Sequence, residues 1–220
     1  QKKLFGEIKG RIKLDDESLP FKDNKYEYWT RTTTEGDYSI KLRKKIGSND
    51  IEEIWNGDVE KKKLNTKYFG IGDLEVSFDD KLLGYSLDLK GSEYYSIYIR
   101  QISSNKIITE EIKETSGSIT FSLDNKYIFY SKLDKFHRPR KIYRHKIGTL
   151  VKDDELVFEE KSDAFTVGIS LSADEKYYFI SSSDHNTSEQ YYFKADEINP
   201  SPKLIIKRER GVLYSVNSWD

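Results

Sequence analysis

The chain has 220 residues, 36% hydrophobic and 14% aromatic against 34% charged, which is enough apolar side chain for the core of one or two domains. Its 37 lysines and arginines nearly cancel its 38 aspartates and glutamates, and a net charge of −1 gives no electrostatic reason to expect nucleic acid or an anionic membrane as partner. There is no cysteine for a disulfide or thiolate metal site, no apolar run near the roughly 18 residues that span a bilayer, and no signal peptide, so the sequence reads as cytoplasmic.

Residues 1–20 read as an amphipathic helix and a linker. Leu4, Phe5, Ile8 and Ile12 fall at helical spacing within Lys2–Leu14, with weak points at Gly6 and Gly10. Asp15–Ser18 breaks the pattern and Pro20 marks the exit. A chain that opens Gln1-Lys2-Lys3 and holds no methionine is expected to be a processed product or a segment of something longer.

From Phe21 the chain is strand and turn, and residues 21–220 are expected to form one all-β domain. Turns at Asp23-Asn24 and Glu35-Gly36-Asp37 flank strands at Tyr26–Arg31 and Tyr38–Arg43. Gly47–Asp50, Asn56–Asp58 and Asn65–Lys67 punctuate a polar stretch that carries Ile51, Ile54 and Trp55. Gly70-Ile71-Gly72 lacks a third glycine and a following helix, and so reads as a turn and not a dinucleotide loop.

Three windows then repeat a Ser-x-Asp-x-Lys turn followed by aromatic and β-branched residues, with serines at Ser77, Ser122 and Ser172 and aspartates at Asp79, Asp124 and Asp174. Each continues into a second aromatic strand, at Tyr94–Arg100, Lys141–His145 and Gln190–Lys194, and a fainter copy runs from Phe21. A period of about 45 to 50 residues with several short strands is the signature of propeller blades, which bury both faces only by stacking. Units starting near residues 21, 76, 119 and 169 predict a partial β-propeller of about four blades. Val212–Val216 reads as the first strand of a further, truncated unit at 212–220.

Other constellations carry little chemistry. Arg138–Lys146 is basic with Ile142 and Tyr143 interleaved, and reads as a solvated strand face rather than a phosphate track. Glu159-Glu160 and Asp153-Asp154-Glu155 have no histidine or oxygen-ligand loop at metal spacing, so neither metal nor cofactor is expected. Asn186-Thr187-Ser188 matches a glycosylation acceptor and is expected to be unmodified.

Gly10–Pro20 (GRIKLDDESLP), Tyr26–Arg31, Leu74–Ser86 (LEVSFDDKLLGYS), Thr115–Phe121, Arg138–Gly148 (RPRKIYRHKIG), Val157–Lys161 and Thr187–Glu189 together resemble the prolyl oligopeptidase family of serine peptidases, and within it oligopeptidase B, also called protease II. The resemblance covers essentially the whole chain. It implies a cytosolic peptidase in which a seven-bladed propeller caps an α/β-hydrolase domain and admits only short peptides, cleaved after arginine or lysine. The family's G-x-S-x-G elbow is absent: Gly168-Ile169-Ser170-Leu171-Ser172 has serine where the last glycine must be. His137, His145 and His185 read as strand or loop residues, so no catalytic residue is expected in this chain.

Two readings follow. In one the chain is the N-terminal propeller segment of such a peptidase, contributing gating, substrate filtering and domain contact. In the other it is a stand-alone partial propeller serving as an interaction scaffold. Open blade faces and the Leu4/Phe5/Ile8/Ile12 stripe predict self-association or pairing with the catalytic domain.

Overall fold

The structure, a computed structural model, describes residues 1–219. It divides into two compact units, Gln1–Thr66 and Lys67–Asp220.

The first unit opens with helix α1, Lys2–Gly10, which is shorter than the predicted Lys2–Leu14. Gly10 weakens its last turn, Arg11 N and Ile12 N close it with bonds to Ile8 O and Lys9 O, and Ile12 and Leu14 lie beyond it. No residue of α1 is buried, and Leu4 and Phe5 are 59% and 67% exposed. Strands β1 (Asp16–Glu17), β2 (Phe21–Asp23), β3 (Tyr26–Thr32), β4 (Ile40–Lys45) and β5 (Ile51–Asn56) form an antiparallel sheet in the order β1-β3-β4-β5, with β2 also on β3. Tyr28, Trp29, Leu42, Ile54 and Trp55 make its core.

A second helix, α2 (Gly57–Leu64), replaces the turn read at Asn56–Asp58, while the one read at Asn65–Lys67 follows its end. The Asn56 side chain accepts from Val59 N at 3.2 Å, Asp58 and Glu60 occupy the positive end, Lys61–Lys63 the negative end, and Asn65 closes the helix at φ +48°. The Asp58 carboxylate also accepts the backbone N–H groups of Asp37 and Tyr38, which ties the helix to the loop before β4.

The second unit consists of three antiparallel four-stranded meanders. The first is β6 (Gly70–Val76), β7 (Leu82–Asp88), β8 (Tyr95–Gln101) and β9 (Ile112–Thr115). The second is β10 (Thr120–Phe121), β11 (Tyr127–Leu133), β12 (Pro139–Lys146) and β13 (Glu155–Glu159), and the third is β14 (Thr166–Leu171), β15 (Tyr177–Ser183), β16 (Ser188–Lys194) and β17 (Lys203–Ile206). A pairing of Lys132 with Thr115 joins the first two meanders into one eight-stranded sheet. The outermost pairing of every meander shifts register, an irregularity that increases the local twist. Gly70-Ile71-Gly72 belongs to β6 and is not a turn. Residues 212–219 form no strand; they run as a tie in which Ser188 N bonds to Val212 O and Tyr214 N to Ser188 Oγ.

Stacking is what buries β11. Ile128 and Tyr130 face a cluster with Ile97, Ile99, Ile112, Ile119 and Phe121, while Phe129 faces the next meander with Ile142, Val167, Tyr178, Ile180 and Phe193. The continuous apolar run Tyr127–Tyr130 is therefore the pattern of a strand covered on both faces.

The repeated turn is built the same way three times. Ser77, Ser122 and Ser172 each donate Oγ–H to the aspartate two residues on at 2.7 Å, and accept the N–H of Leu82, Tyr127 and Tyr177 at 2.9 Å. Asp80, Asn125 and Glu175 then sit in the left-handed region at φ +61°, +59° and +58°. For Asp79 and Asp124, burial pushes the carboxyl up but hydrogen bonds from the serine and the lysine outweigh it; for Asp174 the Ser172 hydrogen bond leads, and all three end below the ordinary 3.8. Their contribution is fully present above that value and is lost as pH falls through the lower folded values. Melting temperature should therefore drop on acidification below pH 4, less steeply in a triple Asp→Asn variant, and Ser122→Ala should cost about 1–2 kcal/mol in urea unfolding at neutral pH.

Candidate functional site

One wall of the second unit is made by the first strand of each meander. Two bonds hold these strands side by side: Ile119 N donates to Asp73 Oδ2 at 3.0 Å, and Thr120 Oγ1 donates to Ile169 O at 3.4 Å. Strand alternation sends Val167 and Phe121 into the core and leaves Gly72, Glu75, Ser118, Gly168 and Ser170 exposed. Between β10 and β14 the wall opens into a cleft of about 400 Å³, with Phe78 and Phe121 below and Ser170, Glu75 and Glu175 around it.

Two glycines set the shape of this wall. A Cβ on Gly72 would lie 2.5 Å from Ser86 Oγ and 2.8 Å from the Tyr95 ring, so only glycine lets β6 pass; Ser86 Oγ meanwhile accepts Asp73 N. A Cβ on Gly168 would meet nothing within 4 Å, so the surface there is simply bare. The arrangement is a face of glycine and hydroxylic side chains, Gly72, Ser118, Gly168 and Ser170, with the carboxylates of Glu75 and Glu175 at its edge. Sequence reasoning missed it because the unit boundary near residue 76 lies after β6.

The residues singled out by sequence take other roles. Ser170 is an exposed strand residue opposite Phe179, and Ser172 braces its turn. Among the described residues no serine hydroxyl hydrogen-bonds a histidine. His137 lies exposed against the Tyr94 ring, centroids 4.0 Å apart, and His185 is exposed on the β15–β16 turn. The basic strand is solvated only in part: Arg138 and Lys146 are exposed, whereas Arg144 is 5% exposed and His145 is fully buried, because the middle of β12 is covered on both sides. Asp154 accepts from Tyr130 at 2.7 Å and meets His145 Nδ1 at 2.6 Å.

Glu160 and Glu189 are buried around Arg208. Burial pushes both carboxyls up, but Ser182, Ser162 N and Arg208 for the first, and Arg208 and Tyr191 for the second, hold them below the ordinary range. Burial and then Glu189 push the Tyr191 phenol up to about 12. Among the described residues no group of three or more histidine, aspartate or glutamate side chains is placed to hold a metal ion. Asn186 is exposed on the same turn, its Oδ1 accepting from Thr187.

The model of the prolyl oligopeptidase N-terminal β-propeller domain matches residues 1–220. The chain belongs to the prolyl oligopeptidase family. It is 28% identical to Protease 2 of Moraxella lacunata over 99% of its own length and 32% of the relative's, and 29% identical to dipeptidyl aminopeptidase BI of Pseudoxanthomonas mexicana over 98% and 32%. Oligopeptidase B from Leishmania major superposes with a TM-score of 0.92 at 24% identity, over 99% of this chain and 31% of that one. The chain thus spans about a third of the length of the relatives it matches. Within this prolyl oligopeptidase propeller region the three meanders are blades, and β6, β10 and β14 are their innermost strands. The sheets are not closed into a ring, as a partial propeller requires. No helix among the described residues is long and apolar enough to cross a membrane.

Proposed function

We propose that this chain is the N-terminal propeller segment of an oligopeptidase B-like endopeptidase that cleaves short peptides after arginine or lysine in the cytoplasm, and that the segment itself is catalytically empty. The observation that carries this reading is the match of the whole chain to the N-terminal propeller of the family, at a third of its relatives' length. Covalent catalysis needs a positioned nucleophile and base, and the serine and histidines here are committed to turns, strands and packing. The chain's part is filtering: the bare inner wall passes an extended peptide and excludes a folded one.

The complete enzyme is expected to hydrolyse arginyl and lysyl amides and not prolyl ones, while residues 1–220 alone turn over neither. Hydrolysis by 1–220 that responds to serine-directed inhibitors, or cleavage after proline by the complete enzyme, would overturn the reading. Gly168→Trp places a large side chain on the open wall. In the complete enzyme it should lower kcat/KM for a peptide of about ten residues by roughly tenfold while leaving a blocked arginyl amide unchanged.

The partner proposed for the exposed Leu4, Phe5 and Ile8 of α1 is the catalytic domain of the same enzyme and, in its absence, a second copy of the chain. Light scattering at micromolar concentration should show association of the isolated chain; a monodisperse monomer would remove this part of the proposal.

A further inference from the structure

On the side of the second unit that carries the Ser122 turn, a cleft of about 590 Å³ lies between the second and third meanders. Its floor is a sealed aromatic trio: Phe129 and Tyr178 have ring centroids 4.9 Å apart, and Phe193 lies 5.7 Å and 5.2 Å from them. The accessible wall is apolar, made by Leu123, Tyr127 and the 82%-exposed Ile198. A volume of this size is in the range of sites that take a small ligand or one to two side chains of a peptide.

The charges around the cleft do not balance. Arg144 lies with its guanidinium 4.4 Å from the centre of the Tyr127 ring, donates to Ile198 O at 2.6 Å, and is neutralised by Glu155 at 3.1 Å from its Nε. Lys126 is paired with Asp124. That leaves Asp196 and Glu197 on the rim, whose carboxylates make no ion pair or hydrogen bond among the described residues, with Asp196 exposed and Glu197 half-buried. An apolar wall beneath two unanswered negative charges is complementary to one chemistry: a cation carried next to an apolar group.

We propose that this cleft docks a cationic peptide segment, an arginine flanked by aliphatic residues, with the guanidinium against Asp196 and Glu197 and the aliphatic side chains on Leu123, Tyr127 and Ile198. Arg144 over Tyr127 shows that the wall already accommodates a guanidinium on an aromatic face. An acidic peptide would meet the two carboxylates with like charge, and a neutral apolar one would leave them unused. The site is separate from the inner-strand wall and does not rest on the peptidase reading.

The test is isothermal titration of the 220-residue chain at low salt with acetyl-Leu-Arg-Leu-amide and acetyl-Leu-Glu-Leu-amide. The arginine peptide should bind with a Kd on the order of 0.1–1 mM and the glutamate peptide at least about tenfold more weakly. The double variant Asp196→Asn/Glu197→Gln, which changes only rim groups and should leave the melting temperature in place, should weaken the arginine peptide about fivefold and flatten its salt dependence. Glu175→Gln, on the inner wall, should leave binding unchanged. Equal binding of both peptides, indifference to the rim variant, loss of binding in Glu175→Gln instead, or no binding of the arginine peptide at several millimolar would each overturn the proposal.

Discussion

Replacing Arg208 with methionine is expected to destabilise the second unit by about 3–5 kcal/mol, the cost of stranding buried charge rather than of losing one contact. Arg208 follows β17 and sets its Nη2 2.6 Å from Glu160 and 3.0 Å from Glu189, whose side chains are 5% and 6% exposed. Its backbone N–H donates to Glu189 at 2.8 Å, and its guanidinium lies 4.0 Å from the Phe165 ring centre. Ser182 and Tyr191 add donors to the two carboxylates but no positive charge. Without the guanidinium, two carboxylates share a site with only hydroxyl and amide donors, and each disfavours ionisation of the other.

The pH dependence separates this account from simple loss of packing. In the native chain both glutamates sit below their ordinary 4.5, so their contribution is complete above that value and disappears as pH falls through the lower folded values. In the variant the same groups are pushed up, so acidification relieves the strain. The stability gap measured in urea should be largest near pH 7.5 and should shrink by pH 5. A gap under about 1 kcal/mol, or one that does not change with pH, would show that the arginine is not the counter-charge the geometry implies.

How far the sequence carried this fold depended on whether the deciding physics was local. The Ser-x-Asp-x-Lys turn is self-contained: hydroxyl, carboxylate and backbone N–H close it within five residues, so three copies were legible and fold alike. Helix α2 is legible only from its caps, Asn56 and Asn65, because its polar run carries no apolar stripe. The glycines of β6 read as a turn because their reason for being glycine, the approach of Ser86 and Tyr95, is tertiary. The inner wall was invisible for a related cause, since nothing local says which strand of a meander comes first.

The misreading of β12 is the instructive one. Arg138–Lys146 holds five lysines and arginines and His145 around the apolar pair Ile142 and Tyr143, a composition that reads as a half-solvated strand. The middle of a strand between two stacked blades is covered, and there the polar residues enter the interior with their partners: Arg144 toward Glu155, His145 toward Asp154. Sequence gives the polar residues and not the covering. Only the stacking of meanders decides how much of such a strand stays wet.

That burial makes Asp154→Ala the second large effect, at about 3–4 kcal/mol. Asp154, 3% exposed, accepts Tyr130 O–H at 2.7 Å on one oxygen and faces His145 Nδ1 at 2.6 Å on the other, while His145 Nε2 has no partner among the described residues. Removing the carboxylate leaves two buried donors unmade in the cluster that joins the first and second meanders, each worth about 1–3 kcal/mol. Burial and then Asp154 push the Tyr130 phenol well above its ordinary value, so it is a neutral donor at neutral pH. Tyr130→Phe alone should cost about 1 kcal/mol because it abandons one of Asp154's two partners, yet in the Asp154→Ala background it should be near neutral, since it then deletes a donor that has nothing to bond. Urea unfolding of the two single variants and the double supplies the cycle. A coupling energy near zero would mean that solvent reaches the Tyr130 hydroxyl, and that the interface between the two meanders is wetter than its geometry indicates.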